Sequence, residues 1–156
     1  MGAAPFSLTA LTAANQATFL TLVAEYYAYD GIPFVAAKAQ QALETLLQTP
    51  TLGVAWLVMV GTEVAGYVVV GFGFGLESGG RDAILDELYL RSPYRGQGWG
   101  KALIALVEDY CRTQGCQMLY LVVEPHNTRA QAVYRQLAFE LSDRLIFAKS
   151  LRAWQA

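Results

Sequence analysis

Leu88-Tyr89-Leu90-Arg91-Ser92-Pro93-Tyr94-Arg95-Gly96-Gln97-Gly98-Trp99-Gly100-Lys101 is the stretch on which the reading of this 156-residue chain turns. An apolar strand end and a proline-containing turn lead into three alternate glycines. A helical pattern follows, with Leu103, Leu106, Val107, Tyr110 and Cys111 on one stripe. Glycines let the backbone approach a ligand closely and turn its N–H groups toward one point. A helix starting there adds its unpaired N-terminal donors and the positive end of its dipole. The turn therefore predicts a site for a pyrophosphate or other phosphate.

Two other phosphate motifs fail on spacing. A P-loop needs Lys followed by Ser or Thr, and here Lys101 is followed by Ala102. In a Rossmann fingerprint the third glycine would fall where Lys101 stands, one residue after Gly100. The run Gly71-Phe72-Gly73-Phe74-Gly75 has the period of a strand, so its glycines read as room beside a bend or bulge.

Outward from the turn, the preceding strand is expected over about 82–91 and the helix over about 98–114, closed by Gly115 in a left-handed conformation. Met118 to Val123 is an unbroken apolar run, the mark of a strand covered on both faces. Strand, helix and buried strand make a right-handed parallel crossover. Upstream lie a short strand (about 5–11), helices over about 13–28 and 34–48, and a strand pair over about 53–60 and 63–75. Gly61-Thr62 between those two strands suits a type II′ turn. Downstream come a short helix, about 128–137, and a final strand pair near 139–150. The expected fold is α/β (α+β), one domain over 1–156 with a core from about 5 to 150. Its sheet is mixed and mostly antiparallel, with one parallel strand pair and helices on both faces.

Composition narrows the function. Hydrophobic residues are 54% and mean hydropathy is +0.30, yet the apolar stretches 54–60 and 65–76 fall short of the ~20 residues of a spanning helix. No basic residue precedes the first apolar residues as in a signal peptide, and a soluble, cytoplasmic protein is expected. A net charge of −2 without a Lys/Arg run argues against a nucleic-acid partner. Cys111 and Cys116 lack a second Cys/His pair, so they read as reduced thiols rather than a metal site.

The segment Leu88 to Gly100 resembles the acetyl-CoA signature of GNAT acetyltransferases, R/Q-x-x-G-x-G/A after an apolar strand. About 32 residues on, Asn127, Ala130, Tyr134 and Phe139 are similar to that family's second pattern, N-x-x-A-x-x-x-Y followed by Gly-Phe. Ala138 departs from it by standing in the glycine's place, which is expected to alter a helix terminus rather than the chemistry. The resemblance spans nearly the whole chain. It implies that the parallel strands splay to hold acetyl-CoA, with no metal. Backbone N–H groups from Gly96 to Lys101 would hold its pyrophosphate, the main chain of Leu88 to Leu90 would pair with the pantetheine, the Leu90 N–H would polarise the thioester carbonyl, and Asn127 would contact the pantetheine. As a habit of the family it also implies a homodimer.

Amide formation from a thioester poses two proton problems. An alkyl amine with a pKa of ~10 must lose a proton before attacking, and a thiolate whose parent pKa is ~8.5 gains from protonation on leaving. Tyr134 matches the family's tyrosine and is the candidate acid, although it also belongs to a helical stripe with Ala130, Val133 and Leu137. Asn127 reads equally as that helix's N-cap. Glu87, a carboxylate in a buried strand, is the candidate base, directly or through water, and its competing reading is an ion pair with Arg81 or Arg91. Asp86 precedes it, is expected to alternate to the opposite face, and is the second candidate. His126 reads as incidental. Tyr26, Tyr27, Tyr29, Asp30 and Phe34 sit at the bend where relatives in that family build the acceptor pocket, and Glu77 lies on a glycine-rich loop. Of these, Tyr29, Asp30, Phe34 and Glu77 are the acceptor candidates. The implied activity is acetyl transfer to a primary amine of a small molecule. A protein N-terminal or lysine acetyltransferase and a catalytically silent acyl-CoA-binding regulatory domain stay open.

Overall fold

The computed structural model describes residues 5–152. The chain divides into two compact units, one ending at Val122 and one beginning at Val123. The first holds a five-stranded sheet in sequence order: β1 (Ser7–Ala10), β2 (Gly53–Val60), β3 (Glu63–Gly75), β4 (Gly80–Leu90) and β5 (Met118–Leu121). Its first three pairings are antiparallel and β4–β5 is parallel, as expected. Helices α1 (Gln16–Asp30) and α2 (Ala36–Gln48) follow β1, and α3 (Trp99–Thr113) makes the crossover.

The chain's own punctuation sets these boundaries. Gly61 has a positive φ of 58° and Thr62 does not, the combination of a type II′ turn, so Val60 pairs directly with Glu63. Past α3, Gly115 is left-handed at 75°. Its N–H bonds to the Arg112 carbonyl while that of Cys116 returns to Cys111, the double closure that ends a helix.

One sheet face carries α1 and α2. Phe19, Leu22, Val23 and Leu43 pack with Ala55, Leu57, Tyr67 and Tyr89 in one buried cluster. Phe19 and Leu22 are wholly buried, so Phe19→Ala would cost about 3–5 kcal/mol by transfer and cavity together. The alternate residues of the strands meet α3 instead. Tyr110 stands edge-on to Trp56 at 4.8 Å between ring centres and stacks with Phe72 at 6.5 Å, beneath the buried stripe of Leu103, Ile104, Val107 and Cys111.

Ladder geometry corrects one sequence expectation. Val69 pairs with Glu87, but the next residue, Val70, pairs with Leu85, so Asp86 is a surplus residue in β4. Cross-strand partners share a face, and Val69 and Val70 point to opposite sides. Leu85 and Glu87 therefore also face opposite ways, and Asp86 cannot alternate with both. The regular alternation along the strand, on which the opposed placing of Asp86 and Glu87 relied, therefore fails between Leu85 and Glu87.

The second unit contains α4 (Thr128–Gln136). Asn127 caps it, its side-chain oxygen accepting from the Ala130 N–H at 3.1 Å. The strand pair expected near 139–150 does not form. Residues 140–150 are in no strand, and Leu141, Leu145, Ile146 and Phe147 are 74–91% exposed. Apolar alternation there offers strand propensity, but a strand persists only in a ladder, and none is made. The buried strand expected through Val123 also stops at Leu121, with Met118 and Tyr120 exposed.

Candidate active site

β4 is the scaffold. It pairs with β5 only through Asp82 to Leu85 and then runs on to Leu90, so Asp86 to Leu90 have no strand partner on that side among the described residues. On its other side, β3 comes in so close at Gly66 that an added Cβ would lie 2.0 Å from the Tyr89 carbonyl oxygen. That contact admits glycine alone and fixes the upper end of β4.

Beyond Leu90 the chain turns through Ser92–Tyr94 into the glycine segment. Gly96 and Gly98 are left-handed, at 76° and 78°, conformations that cost an L-residue about 1–2 kcal/mol. Gly98 is the N-cap of α3, with no side chain capping the helix. The N–H groups of Gly96, Gln97, Gly98, Trp99 and Gly100 donate to no protein acceptor among the described residues. A Cβ built on Gly96, Gly98 or Gly100 would meet nothing within 4 Å. Open space and unspent donors at a helix N-terminus fit a diphosphate. Trp99 is stacked on Tyr94 at 5.6 Å and tilted against Phe6 at 5.7 Å, and the Tyr94 hydroxyl donates to Glu63 at 2.6 Å, so the turn is held to the sheet by its aromatic flank. The Gln97 side-chain Nε2 donates to the Pro93 carbonyl. Arg95 bonds to the Leu90 carbonyl and lies over the Tyr29 ring at 4.2 Å. Through that contact Tyr29, an acceptor candidate, meets Arg95, the first residue of the glycine signature and a coenzyme-binding candidate with it.

Glu87 sits between two tyrosines. The Tyr67 hydroxyl donates to Oε2 at 2.6 Å and the Tyr27 hydroxyl to Oε1 at 2.8 Å. Burial pushes the Glu87 carboxyl above its ordinary range, the two phenols pull it back, and the neighbouring charge of Asp86 pushes it up again. Burial raises Asp86 as well, although its side chain is solvent-accessible. No hydrogen bond or ion pair engages the Asp86 carboxyl among the described residues. Neither arginine considered for Glu87 pairs with it: Arg91 is bound to Glu25, and Arg81 lies over Phe72.

Phe34 stands edge-on to Tyr27 at 6.1 Å, which joins it to this cluster, and Asp30 closes α1, exposed. Glu77 is not brought there. It lies in the exposed turn before Gly80, and six residues of strand, Arg81 to Asp86, hold Gly80 roughly 20 Å from Glu87. In the second unit Tyr134 is half-buried, edge-on to Phe139 at 5.9 Å, and burial raises its phenol above the ordinary value of 10.0. His126 is exposed. Sequence reasoning missed Tyr67, which looks like any aromatic in an apolar strand, and placed Tyr27 in the aromatic cluster at the bend without linking it to Glu87. Once β3 and β4 are put in antiparallel register, Tyr67 faces Tyr89, two residues beyond Glu87 on the same side.

An open amide cradle at the head of a crossover helix, beside a half-paired strand carrying two carboxylates, fits a diphosphate-bearing ligand. The sequence matches the acetyltransferase (GNAT) family over residues 19–139, and the chain belongs to that family. It is an acyltransferase. The thialysine N-epsilon-acetyltransferase of Bos taurus is 31% identical over 126 residues, 76% of this chain and 74% of that protein. The integron cassette protein HFX_CASS3 from the mobile metagenome of Cole Harbour Salt Marsh superposes with a TM-score of 0.82 at 29% identity, over 94% of this chain and 91% of its own. An aminoglycoside N-acetyltransferase, AAC(6')-Iy, in complex with CoA shares the fold with a TM-score of 0.79 at 19% identity, over 94% and 95%.

Proposed function

We propose that the chain works as a single acetyltransferase domain that moves the acetyl group of acetyl-CoA to a primary amine of a small molecule. The observation that carries this is the run of five uncommitted backbone amides from Gly96 to Gly100, nine residues beyond the Glu87 carboxylate on the same strand and turn. The acceptors named in thialysine and aminoglycoside acetyltransferases are small amines, which supports the small-molecule reading.

Acetyl-CoA, when bound, supplies the activated acyl carbonyl. The amides of Gly96 to Lys101 hold its diphosphate, the main chain from Leu88 to Leu90 aligns its pantetheine, with Asn127 as a further contact, and the Leu90 N–H polarises the carbonyl. Glu87, directly or through water, takes the proton that an ammonium must lose, with Asp86 beside it as the second acceptor. The amine nitrogen then bonds to the acyl carbon and the carbon–sulfur bond breaks. The departing sulfur takes the Tyr134 phenolic proton, and the nitrogen gives up its second proton, which returns through water to the phenolate, leaving free thiol and amide. Tyr29, Asp30 and Phe34 are the proposed acceptor contacts, Glu77 being left out by its place at the far end of β4.

Thiol release with acetyl-CoA against panels of polyamines, aminoglycosides, amino acids and peptides tests the reading. Turnover on a small amine is expected. Turnover on peptides alone would make it a protein acetyltransferase. Coenzyme binding with no turnover on any panel would make it an acyl-CoA sensor and overturn the proposal.

A further inference from the structure

Tyr67 is the largest fully buried side chain, 0% exposed, and its hydroxyl faces Glu87 across the β3–β4 ladder. Its ring packs with those of Phe19, Tyr26 and Tyr89, at 6.1–6.4 Å between centres, so a phenylalanine would fill the same space. The hydroxyl is thus surplus to packing, and a polar group is expensive in such a core unless it is used. The groups facing Glu87 are few: Tyr27 from α1 with Tyr26 behind it, Tyr67 from β3, and Asp86 on β4 itself. α2 contributes only apolar Ala39, Leu43 and Leu46 to this cluster. Burial, followed by the Glu87 charge, drives both partner phenols far above the ordinary tyrosine value, so each stays protonated and can only donate to the carboxylate.

We infer that Tyr67 and Tyr27 are positioning residues that hold Glu87 as an oriented anion, one phenol on each carboxylate oxygen. Each oxygen keeps a lone pair for the acceptor ammonium or an intervening water, while rotation of the carboxyl is blocked. Tyr67 anchors from within the sheet, and Tyr27 from the helix that also presents Tyr29 and Asp30. The inference rests on the acetyltransferase reading only for what the anion meets; the clamp itself is independent of it.

The test uses Tyr67→Phe and Tyr27→Phe, alone and with Glu87→Gln. kcat/KM for the best amine of the panel is followed against pH, with coenzyme affinity and thermal melting measured alongside. Losing a donor favours protonated Glu87, so the acidic limb moves to higher pH. The expected loss is about tenfold at pH 6.5 and within about threefold at pH 9, with coenzyme affinity unchanged. In the Glu87→Gln background neither tyrosine change should cost anything further at low pH. A loss equal at every pH, an unmoved limb, or the same loss without Glu87 would overturn the clamp. If Tyr67→Phe does not fold, Tyr27→Phe carries the comparison. If no amine is turned over, it is the functional reading that has failed. The clamp is then judged by carbon-13 NMR titration of the Glu87 carboxyl, whose midpoint must rise in Tyr67→Phe; an unchanged midpoint overturns it.

Discussion

Arg91 closes a fork on Glu25, its Nε donating to Oε2 at 2.9 Å and its Nη2 to Oε1 at 2.7 Å, while Nη1 reaches the Val64 carbonyl at 2.9 Å. One guanidinium thereby ties the residue after β4 to α1 and to β3. It also leaves Glu87, four residues earlier, to hydrogen-bond with tyrosines instead of a cation. A carboxylate neutralised by arginine would be a poor proton acceptor, and here the arginine is spent on a scaffold contact.

Glu25→Gln should therefore destabilise the fold by about 1 kcal/mol at neutral pH, modestly because both side chains are about one-third exposed. The Arg91 hydrogen bond holds the Glu25 carboxyl below its ordinary 4.5. Its contribution is thus present above that value and is lost as the pH falls through the lowered one. Urea unfolding of both proteins should show the gap at pH 7 and its progressive narrowing as the pH falls below 4.5.

Gly98→Ala and Gly98→Glu separate backbone strain from obstruction of the cradle. At a φ of 78° either side chain costs about 1–2 kcal/mol in stability. The alanine Cβ meets nothing within 4 Å, so coenzyme affinity should change only a few-fold. The glutamate places an anion where a diphosphate is expected, and titration calorimetry should find binding abolished. Binding that survives the glutamate would move the coenzyme site elsewhere.

Tyr134→Phe should lower kcat by about a hundredfold or more while coenzyme affinity stays near wild type, as for loss of a general acid. Because burial raises the Tyr134 phenol above 10.0, its proton should still be held at pH 9, with no fall in kcat from this group below its ordinary range. Unchanged turnover would remove Tyr134 from the chemistry.

Ala138→Gly should stabilise the protein. Ala138 is the one non-glycine residue at positive φ among those described, 62°, and it makes the turn a glycine would make after α4. Its N–H bonds to Arg135 and that of Phe139 to Tyr134. Relief of the left-handed strain offers about 1 kcal/mol, a rise of roughly 2–4 °C in the melting of that segment by calorimetry.

Local signals in the sequence were reliable. The helical pattern from Leu103 to Cys111 became α3, with Ile104 buried and Leu106 exposed against the expected stripe, Gly61-Thr62 became a two-residue turn, and Gly115 ended its helix, because each depends on a few consecutive residues. Ala138, by contrast, was expected to alter its helix terminus and instead takes the left-handed conformation of the glycine it replaces. Relationships that need register were hidden. A bulge at Asp86 adds one residue to a strand without changing its composition, and Glu87's partners come from 20 and 60 residues away. The expected strands near 139–150 failed for the converse reason, since alternation is visible in a segment whether or not an edge receives it.

The surplus residue in β4 has a consequence for how the strand tolerates change in length. Removing Asp86 would bring Val69–Glu87 and Val70–Leu85 into one regular ladder and leave every other partner as it was. Loss of Leu85 or Glu87 would instead put Asp86 in the vacated place, and loss of a residue farther along β4 would slide the stretch between it and the bulge and exchange its inner and outer side chains. A carboxylate has in effect been spliced into a hairpin whose frame is complete without it.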